Sequence, residues 1–212
     1  MARDSGSYGA SHGYHRHGDG HDLDGMPSRL LSEERREWQD PEKILDAVLP
    51  AGVGTVVEVG CGPGYFTLPL ARRIGSGGTV IALDVNARSL SVCRQRLLEA
   101  DLHNFELLRL DADRFIPLAD GSADFVLLAN VLHDLKRPQK TLSDALKVLK
   151  KNGRAVDIDW KKESLPFGPP PEIKFSSDHS RDLLIEAGFR NVSVSEIGPE
   201  IGPYHYCVLG TK

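Results

Sequence analysis

The central part of the chain alternates between short apolar runs and longer amphipathic stretches. Short runs rich in Val, Ile and Leu, bounded by Gly or Asp, are typical of buried strands. Stretches in which apolar residues recur every three or four positions are typical of helices that cover a sheet. The pattern predicts strands at residues 53–59, 79–85, 105–110, 124–129, 154–160, 192–197 and 204–209. It predicts helices at residues 65–74, 87–100, 139–150 and 180–187.

The order of these elements predicts the fold class. Strand–helix alternation with continuous apolar strands is typical of a mostly parallel sheet that is covered on both faces. The last two strands have only a turn-rich stretch between them, at residues 198–203, which predicts an antiparallel hairpin. We therefore expect an α/β, Rossmann-like, seven-stranded and mostly parallel sheet with helices on both faces and a C-terminal antiparallel hairpin.

The N-terminal region differs in composition from the rest of the chain. Residues 1–25 are rich in Gly, His, Ser and Asp and contain almost no large aliphatic residue, so they cannot bury enough apolar area to become ordered. We predict a flexible arm over residues 1–27. Half of the eight histidines lie in this arm, which allows either a transition-metal site or a solvated polar tail, and the tail is the interpretation that we favour.

A single domain is predicted over residues 28–212. It begins with a helical lid at residues 28–50, in which Ser32 is expected to cap a short helix that ends near Trp38. Asp40 and Pro41 then suit the start of a helix that runs to residue 49. A cofactor-binding core is expected at residues 51–160, and a lid loop, a helix and the terminal hairpin at residues 161–212.

Charge and cysteine usage narrow the function classes. The net charge of −4 gives no basic excess of the kind typical of nucleic-acid-binding domains. No apolar stretch reaches the roughly 18 residues of a membrane span, and the N-terminus lacks the apolar core of a secretory signal. The chain has three cysteines, and such a small and odd number argues against a disulfide framework. We expect a cytoplasmic monomer or homodimer without nucleic-acid or membrane partners.

Residues 58–67, EVGCGPGYFT, carry the first chemical signal. Gly60, Gly62 and Gly64 stand between a predicted strand and a predicted helix, where parallel sheets bind their ligands and where glycine permits close approach to the backbone. A dinucleotide site requires G-x-G-x-x-G, but Tyr65 stands where the third glycine would be. Glu58, two residues before the first glycine, suits a cationic ammonium better than a pyrophosphate.

A second signal lies at the end of the next predicted strand. Asp84 follows Gly64 by 20 residues, and a carboxylate at that place can accept hydrogen bonds from both hydroxyls of a ribose. The two signals together predict a nucleoside that carries an amino-acid cation. S-adenosylmethionine is such a ligand.

Longer segments make a family resemblance plain. Residues 53–160 resemble a class I S-adenosylmethionine-dependent methyltransferase, and most of all the small type 11/25 group, which includes the quinone-biosynthesis and arsenite methyltransferases. The segments that carry the resemblance are VVEVGCGPGYFTLPLA, VIALDVN, LDAD, DFVLLANVLHDL and VLKKNGRAVDIDWKK. The resemblance covers roughly residues 30–212.

The resemblance implies a role for each cofactor-binding position. Glu58 would engage the methionine part through the loop or a water, the three glycines would line it, and Asp84 would hold the ribose.

Further implied contacts surround the adenine and the methionine part. Val85 would lie against the adenine, Asp111 would accept from the adenine amino group, and the Ala112 backbone N–H would donate to the ring. Asn130 would lie beside the methionine part. Plainer alternatives stay open, since Asp111 suits a loop cap and Asn130 a turn.

Methyl transfer is an in-line displacement, so the protein mainly positions the reactants. If the acceptor carries a proton, a base is needed, and His133 and Asp159 follow the fourth strand and end the fifth. The alternatives are that His133 only shapes the loop and that Asp159 caps or pairs with a neighbouring lysine.

No catalytic metal is predicted, because Asn130 and Asp159 only half match the metal-binding carboxylates of catechol-type relatives. We expect methyl transfer to a small-molecule acceptor. The alternative is a non-catalytic cofactor- or metal-binding regulatory protein on the same fold.

Overall fold

A seven-stranded sheet forms the centre of the protein, as seen in a computed structural model that describes residues 28–195, 198 and 202–212. The strand order is β3-β2-β1-β4-β5-β7-β6. The strands are β1 (Thr55–Val59), β2 (Thr79–Asp84), β3 (Phe105–Arg109), β4 (Ala123–Ala129), β5 (Leu149–Trp160), β6 (Arg190–Ser195) and β7 (His205–Thr211).

Helices cover both faces of this sheet. They are α1 (Glu34–Trp38), α2 (Pro41–Val48), α3 (Thr67–Ile74), α4 (Ala87–Glu99), α5 (Pro138–Val148) and α6 (Ser177–Ala187). Neighbouring strand residues point to opposite faces, so Val56 packs in the core beneath α2, α3 and α4, whereas Val57 packs in the core beneath α5 and α6.

Strand pairing confirms the predicted fold class. β1 to β5 pair in parallel, β7 runs antiparallel to β5, and β6 runs antiparallel to β7. The strand order reverses between β1 and β4, which are neighbours in the sheet. In a sheet of this kind the crevice at such a reversal is where ligands bind, beyond the carboxyl ends of the strands.

The predicted boundary between α5 and β5 is wrong. The helix ends at Val148 and the strand begins at Leu149, although the sequence predicted a helix through residue 150 and a strand that begins at residue 154. Leu149 pairs with Ala123, and the register then shifts so that Arg154 pairs with Phe125. Asn152, at φ 65°, therefore lies in an irregular part of the strand rather than at a helix end.

The helices before the sheet follow the prediction in part. Asp40 caps α2, since its side chain accepts hydrogen bonds from the backbone N–H groups of Glu42 and Lys43. Ser32 does not cap α1, because Glu33 occupies that position and the Ser32 carbonyl accepts from the N–H of Arg35 at 3.1 Å.

Two further sequence predictions fall wholly or partly outside the described residues. The predicted arm at residues 1–27 lies outside them, and so does the end of the strand predicted at residues 192–197. No helix within residues 28–195 and 202–212 combines the length and the apolar character needed to cross a bilayer.

Candidate active site

The glycine loop after β1 is tied to the neighbouring strand. The backbone N–H groups of Gly60 and Cys61 both donate to the carbonyl of Leu83, at 2.8 and 3.0 Å. A Cβ atom added to Gly60 would lie 2.5 Å from Cγ2 of Val131, and one added to Gly64 would lie 2.7 Å from the Cys93 sulfur. These two glycines are therefore required for packing inside the protein.

Gly62 differs from its two neighbours in the motif. All three glycines are left-handed, and Gly62 has a φ of +53°. Only at Gly62 would an added Cβ meet no atom of the described residues within 4 Å. Its backbone N–H donates to Oδ2 of Asp84 at 2.7 Å. The open face of Gly62 is thus held directly beside the carboxylate that the sequence singled out.

Asp84 and Val85 lie together at the carboxyl end of β2. The second oxygen of Asp84 accepts from the N–H of Asn86 at 2.8 Å. A carboxylate offers about four acceptor positions, so these two bonds leave room for a diol. Burial raises the pKa of Asp84 above its ordinary value. Val85, the next residue, is 44% exposed.

Asp111 and Ala112 follow β3, one strand further along. Oδ1 of Asp111 accepts from the N–H of Asp113 at 3.0 Å, which is the loop-cap role that the sequence left open. Ala112 is buried, and its carbonyl accepts from the hydroxyl of Thr141 at 2.9 Å. The adenine contacts of both residues stay predictions.

Glu58 lies beneath the loop rather than in the crevice. It is only 2% exposed, and its carboxyl group accepts from the hydroxyl of Thr67 at 2.6 Å, at the start of α3. Burial raises the pKa of Glu58 well above its ordinary value. Of the two routes by which Glu58 was expected to act on the methionine part, the route through the loop fits this position.

Asn130 connects the end of β4 to the N-terminal helices. It has a left-handed φ of +56°, which fits the turn role that the sequence left open. Its side-chain amide exchanges two hydrogen bonds with the amide of Gln39, at 3.0 and 3.4 Å.

The sequence patterns did not indicate Gln39, nor Arg35, which holds the Gln39 amide. The buried guanidinium of Arg35 donates to Oε1 of Gln39 at 3.0 and 2.7 Å. It also lies 3.8 Å from the ring centre of Tyr65, whose hydroxyl donates to the Gln39 carbonyl at 2.6 Å. Their spacing of four residues was the one available signal. Burial lowers the pKa of Arg35 to about 10, so it stays charged at neutral pH.

His133 and Asp159, predicted from separate segments, form a buried pair. Nδ1 of His133 lies 2.7 and 2.9 Å from the two oxygens of Asp159. Asp159 also accepts from the backbone N–H of Trp160 at 2.8 Å, which fixes its orientation. A carboxylate can only accept, so Nδ1 is assigned as the donor, and Nε2, which lies 3.5 Å from Oδ1 of Asp134, is then the basic atom of the neutral ring.

The charge state of His133 depends on its partner. Burial lowers the pKa of His133, but the charge of Asp159 and the hydrogen bond to it act in the opposite direction and outweigh burial. The net pKa therefore lies above the ordinary value. This arrangement suits a general base, because the carboxylate orients the ring and stabilises the imidazolium that forms.

Four rings, those of Trp38, Trp160, Phe167 and His205, form a cluster at the end of β5 and the start of β7 that we call the aromatic box. The Trp38 ring centre lies 5.3 Å from that of Trp160 and 4.6 Å from that of Phe167. The His205 ring lies 4.2 Å from Trp160 and stacks on Trp38 at 5.9 Å. Phe175, eight residues after Phe167 and before α6, packs on His179 instead.

Comparisons with known proteins agree with this geometry. A family model described as "Methyltransferase domain" matches residues 57–156. The crystal structure of a SAM-dependent methyltransferase from Aquifex aeolicus is 33% identical and superposes with a TM-score of 0.77, over 86% of this chain and 95% of that one. A putative type 11 methyltransferase from Sulfolobus solfataricus is 26% identical, with a TM-score of 0.65, over 82% and 92% of the two chains.

Curated relatives match over a shorter stretch. A demethylmenaquinone methyltransferase from Listeria monocytogenes is 33% identical over 111 residues, which is 52% of this chain and 46% of the relative. The chain thus spans about half the length of the curated relatives that it matches. The chain belongs to the S-adenosylmethionine-dependent methyltransferases, and the predicted resemblance is confirmed.

Proposed function

We propose that the protein transfers a methyl group from S-adenosylmethionine to a small-molecule acceptor. The observation that carries this proposal is the glycine loop at the reversal point of the sheet, where the Cβ direction of Gly62 is open among the described residues and its backbone N–H donates to Oδ2 of Asp84 at 2.7 Å. An open glycine beside a carboxylate with spare acceptor positions suits the sugar of a nucleoside. The exposed Val85 next to it supplies an apolar surface for a base.

The remaining predicted positions complete the cofactor site in this proposal. Asp111 and Ala112 bind the adenine edge, and Asn130, held by Gln39, lies beside the methionine part. Glu58 supports the loop through Thr67. When bound, the cofactor supplies an electrophilic methyl group on a sulfonium sulfur.

His133 acts as the base for an acceptor that carries a proton. Its Nε2 would take the proton that the acceptor loses as the acceptor's lone pair attacks the methyl group of the bound donor. The donor would keep the electron pair of the carbon–sulfur bond and leave as S-adenosylhomocysteine. Asp159 is a positioning residue, because it orients the ring through Nδ1 and does not itself reach the acceptor.

The comparisons support a small acceptor and give no support to a non-catalytic regulatory protein. The curated relatives are named for demethylmenaquinone, but the match covers only half of their length, so their acceptor is not assigned to this chain. We propose a cytoplasmic monomer or homodimer without nucleic-acid partners. In support of a reducing compartment, Cys61, Cys93 and Cys207 are free and buried.

Isothermal titration calorimetry tests the proposed cofactor site. S-adenosylhomocysteine should bind at micromolar level, and NAD should not bind. Each hydrogen bond to a charged group contributes about 1.5–3 kcal/mol, so Asp84→Ala, which removes two, should weaken binding by roughly a hundredfold or more. Asp120→Ala, an exposed carboxylate in the turn before β4, is the matched control and should leave the affinity unchanged. Unchanged affinity in Asp84→Ala would contradict the ribose assignment.

A further inference from the structure

Two of the three cysteines of the chain meet at the glycine loop. Cys61 belongs to the loop itself, and Cys93 lies on α4. The Cys93 sulfur is the atom nearest to the Cβ position of Gly64, at 2.7 Å. The Gly64 backbone N–H donates to the Cys61 carbonyl at 3.1 Å, so the turn that starts at Cys61 ends against the Cys93 sulfur. The two cysteine side chains also hydrogen-bond each other.

A second contact fixes α4 to the same loop. Nη1 of Arg96 donates to the Pro63 carbonyl at 2.9 Å. Arg96 follows Cys93 by three residues, so the two side chains lie on the same face of the helix. On the other side of the loop, the backbone N–H of Cys61 donates to the carbonyl of Leu83. Both cysteines are therefore held in place by backbone contacts that do not depend on their sulfurs.

The two sulfurs differ in chemical character. The hydrogen bond from Cys61 is the largest cause of the shift in the pKa of Cys93, and the charge of Arg96 acts in the same direction. The pKa of Cys93 lies below its ordinary value, although burial opposes this. The same hydrogen bond, followed by burial, raises the pKa of Cys61. Because the thiolate is the nucleophilic form of cysteine, Cys93 is the nucleophile and Cys61 is the thiol beside it.

The third cysteine provides an internal comparison. Cys207 is buried on β7, and burial raises its pKa to about 12. The side chains that act on its thiol are Asp157 and Ser195, and neither is a cysteine. Cys207 has the properties of an inert structural cysteine, which Cys93 does not share.

A small hollow lies next to the cysteine pair. Tyr65, Leu68 and Arg96 are among the residues that line its volume of about 30 Å³, and roughly 10–15 Å³ is enough to hold one water. Tyr65 directly follows Gly64, which touches the Cys93 sulfur. Hydrogen peroxide is little larger than water, so an oxidant of this size has a place to lie although Cys61 and Cys93 are both buried.

We propose that Cys61 and Cys93 form a peroxide-sensitive dithiol, and that its oxidation to a disulfide turns off cofactor binding at the glycine loop. The effect on the cofactor rests on the proposed function, whereas the oxidation does not. Disulfides inside a reducing compartment are usually transient and redox-sensing, which agrees with the three free thiols of the reduced chain.

The oxidation takes two steps. The Cys93 thiolate attacks one oxygen of hydrogen peroxide, the O–O bond breaks, hydroxide leaves, and Cys93 becomes a sulfenic acid. The Cys61 sulfur then attacks the Cys93 sulfur, the S–S bond forms, the S–O bond breaks, and the hydroxyl group leaves with the Cys61 proton as water. Peroxide gains the two electrons that the two sulfurs lose.

The disulfide changes the part of the loop that the cofactor needs. An S–S bond is about 2.05 Å long, much shorter than a hydrogen bond between two sulfurs, so the side chains have to approach each other. Arg96 and the packing of α4 hold Cys93, and Cys61 therefore moves toward the helix. Gly62 follows Cys61 in the chain, and its N–H bond to Asp84 is disturbed by that movement.

Peroxide treatment of the full chain tests the inference. The protein is reduced, separated from the reductant and exposed to hydrogen peroxide at neutral pH. The intact mass should show the loss of two hydrogens, and peptide mapping should place the bond between Cys61 and Cys93 and find Cys207 as a thiol. In calorimetry the oxidised protein should bind S-adenosylhomocysteine at least about tenfold more weakly, and dithiothreitol should restore the affinity.

Linkage gives a second, independent readout. If oxidation weakens ligand binding tenfold, saturating ligand must favour the reduced dithiol by the same factor. For this two-electron couple a factor of ten corresponds to about 30 mV. Saturation with S-adenosylhomocysteine should therefore make the reduction potential of the disulfide less negative by at least about 30 mV.

Three serine variants assign the roles of the sulfurs. Cys93→Ser should form no cross-link and should keep its S-adenosylhomocysteine affinity after peroxide. Cys61→Ser should stop at a sulfenic acid on Cys93, which dimedone traps. Cys207→Ser is the matched control, since it removes a buried thiol outside the pair, and it should be oxidised like the unmodified chain.

The outcomes distinguish the two proposals. Thiols that survive peroxide, or a bond that involves Cys207 or a second chain, overturn the dithiol. A Cys61–Cys93 bond that leaves the affinity and the potential unchanged overturns its effect on the cofactor, while the cofactor site stands. If the reduced chain does not bind S-adenosylhomocysteine, the proposed function fails and the effect on binding fails with it, whereas peptide mapping still decides the dithiol.

Discussion

Substituting two glycines of the same loop separates packing from ligand binding. In Gly60→Ala the new Cβ would lie 2.5 Å from Cγ2 and 2.9 Å from Cβ of Val131. A left-handed alanine costs about 1–2 kcal/mol, and overpacking a well-packed site adds about 1–3 kcal/mol. We therefore expect Gly60→Ala to lower the free energy of unfolding by roughly 2–5 kcal/mol.

Gly62→Ala should cost less stability than Gly60→Ala but should weaken ligand binding. Only the left-handed conformation costs stability there, about 1–2 kcal/mol, because the described residues leave its Cβ direction open within 4 Å. The added methyl group would instead enter the space assigned to the cofactor. We expect at least a tenfold loss of S-adenosylhomocysteine affinity, or about 1.4 kcal/mol, from a variant that remains well folded.

Urea unfolding measures the first effect and calorimetry the second. The variant Val131→Ala removes the atom nearest to the new Cβ, so the cost of Gly60→Ala should shrink by about 0.5–3 kcal/mol in that background. The reasoning is refuted if the cost of Gly60→Ala is the same in both backgrounds, or if Gly62→Ala leaves the affinity for S-adenosylhomocysteine unchanged.

Three further predictions concern charges and the arm. Asp159→Asn should lower the raised pKa of His133 and cost more stability at about pH 6 than at about pH 9. The reason is that a histidine whose pKa is raised in the folded state stabilises the fold at pH values below its unfolded-state pKa, and this stabilisation is lost as the pH rises through the folded-state pKa. NMR titration of the ring and unfolding at both pH values check this, and an unmoved His133 pKa contradicts it. Burial, and then the charge of Asp159, raise the pKa of Asp157 well above its ordinary value. Asp157→Asn should therefore raise the melting temperature more at about pH 8 than at about pH 4, and a gain independent of pH would refute this. Deleting residues 1–25 should leave the affinity for S-adenosylhomocysteine intact, whereas a large loss in calorimetry would make the arm part of the site.

The fold could be predicted because its signals are local. Each buried strand is a short apolar run, and each covering helix repeats its apolar residues over several turns. The end of α5 could not be predicted in the same way. Gly153 and Asn152 exchange backbone hydrogen bonds with Lys212, at 2.9 and 3.3 Å, and such a pairing with the last residue of the chain leaves no local pattern.

The same distinction applies to the candidate site. The glycine loop and Asp84 were indicated by one contiguous motif and one strand end. Gln39 meets Asn130 across 91 residues of sequence. His205 meets Trp160 through the pairing of β5 with β7 and meets Trp38 through the packing of α1. Neither the contact of Gln39 with Asn130 nor the surroundings of His205 have a short-range signal, because both arise from tertiary contacts.

The most direct test of the account is a crystal structure of the full chain grown with S-adenosylhomocysteine. The account predicts the ribose hydroxyls on the carboxylate of Asp84, the sugar against the open face of Gly62 and the adenine along Val85. A crevice filled by protein side chains, or a ligand bound elsewhere with Asp84 free of contact, would contradict it.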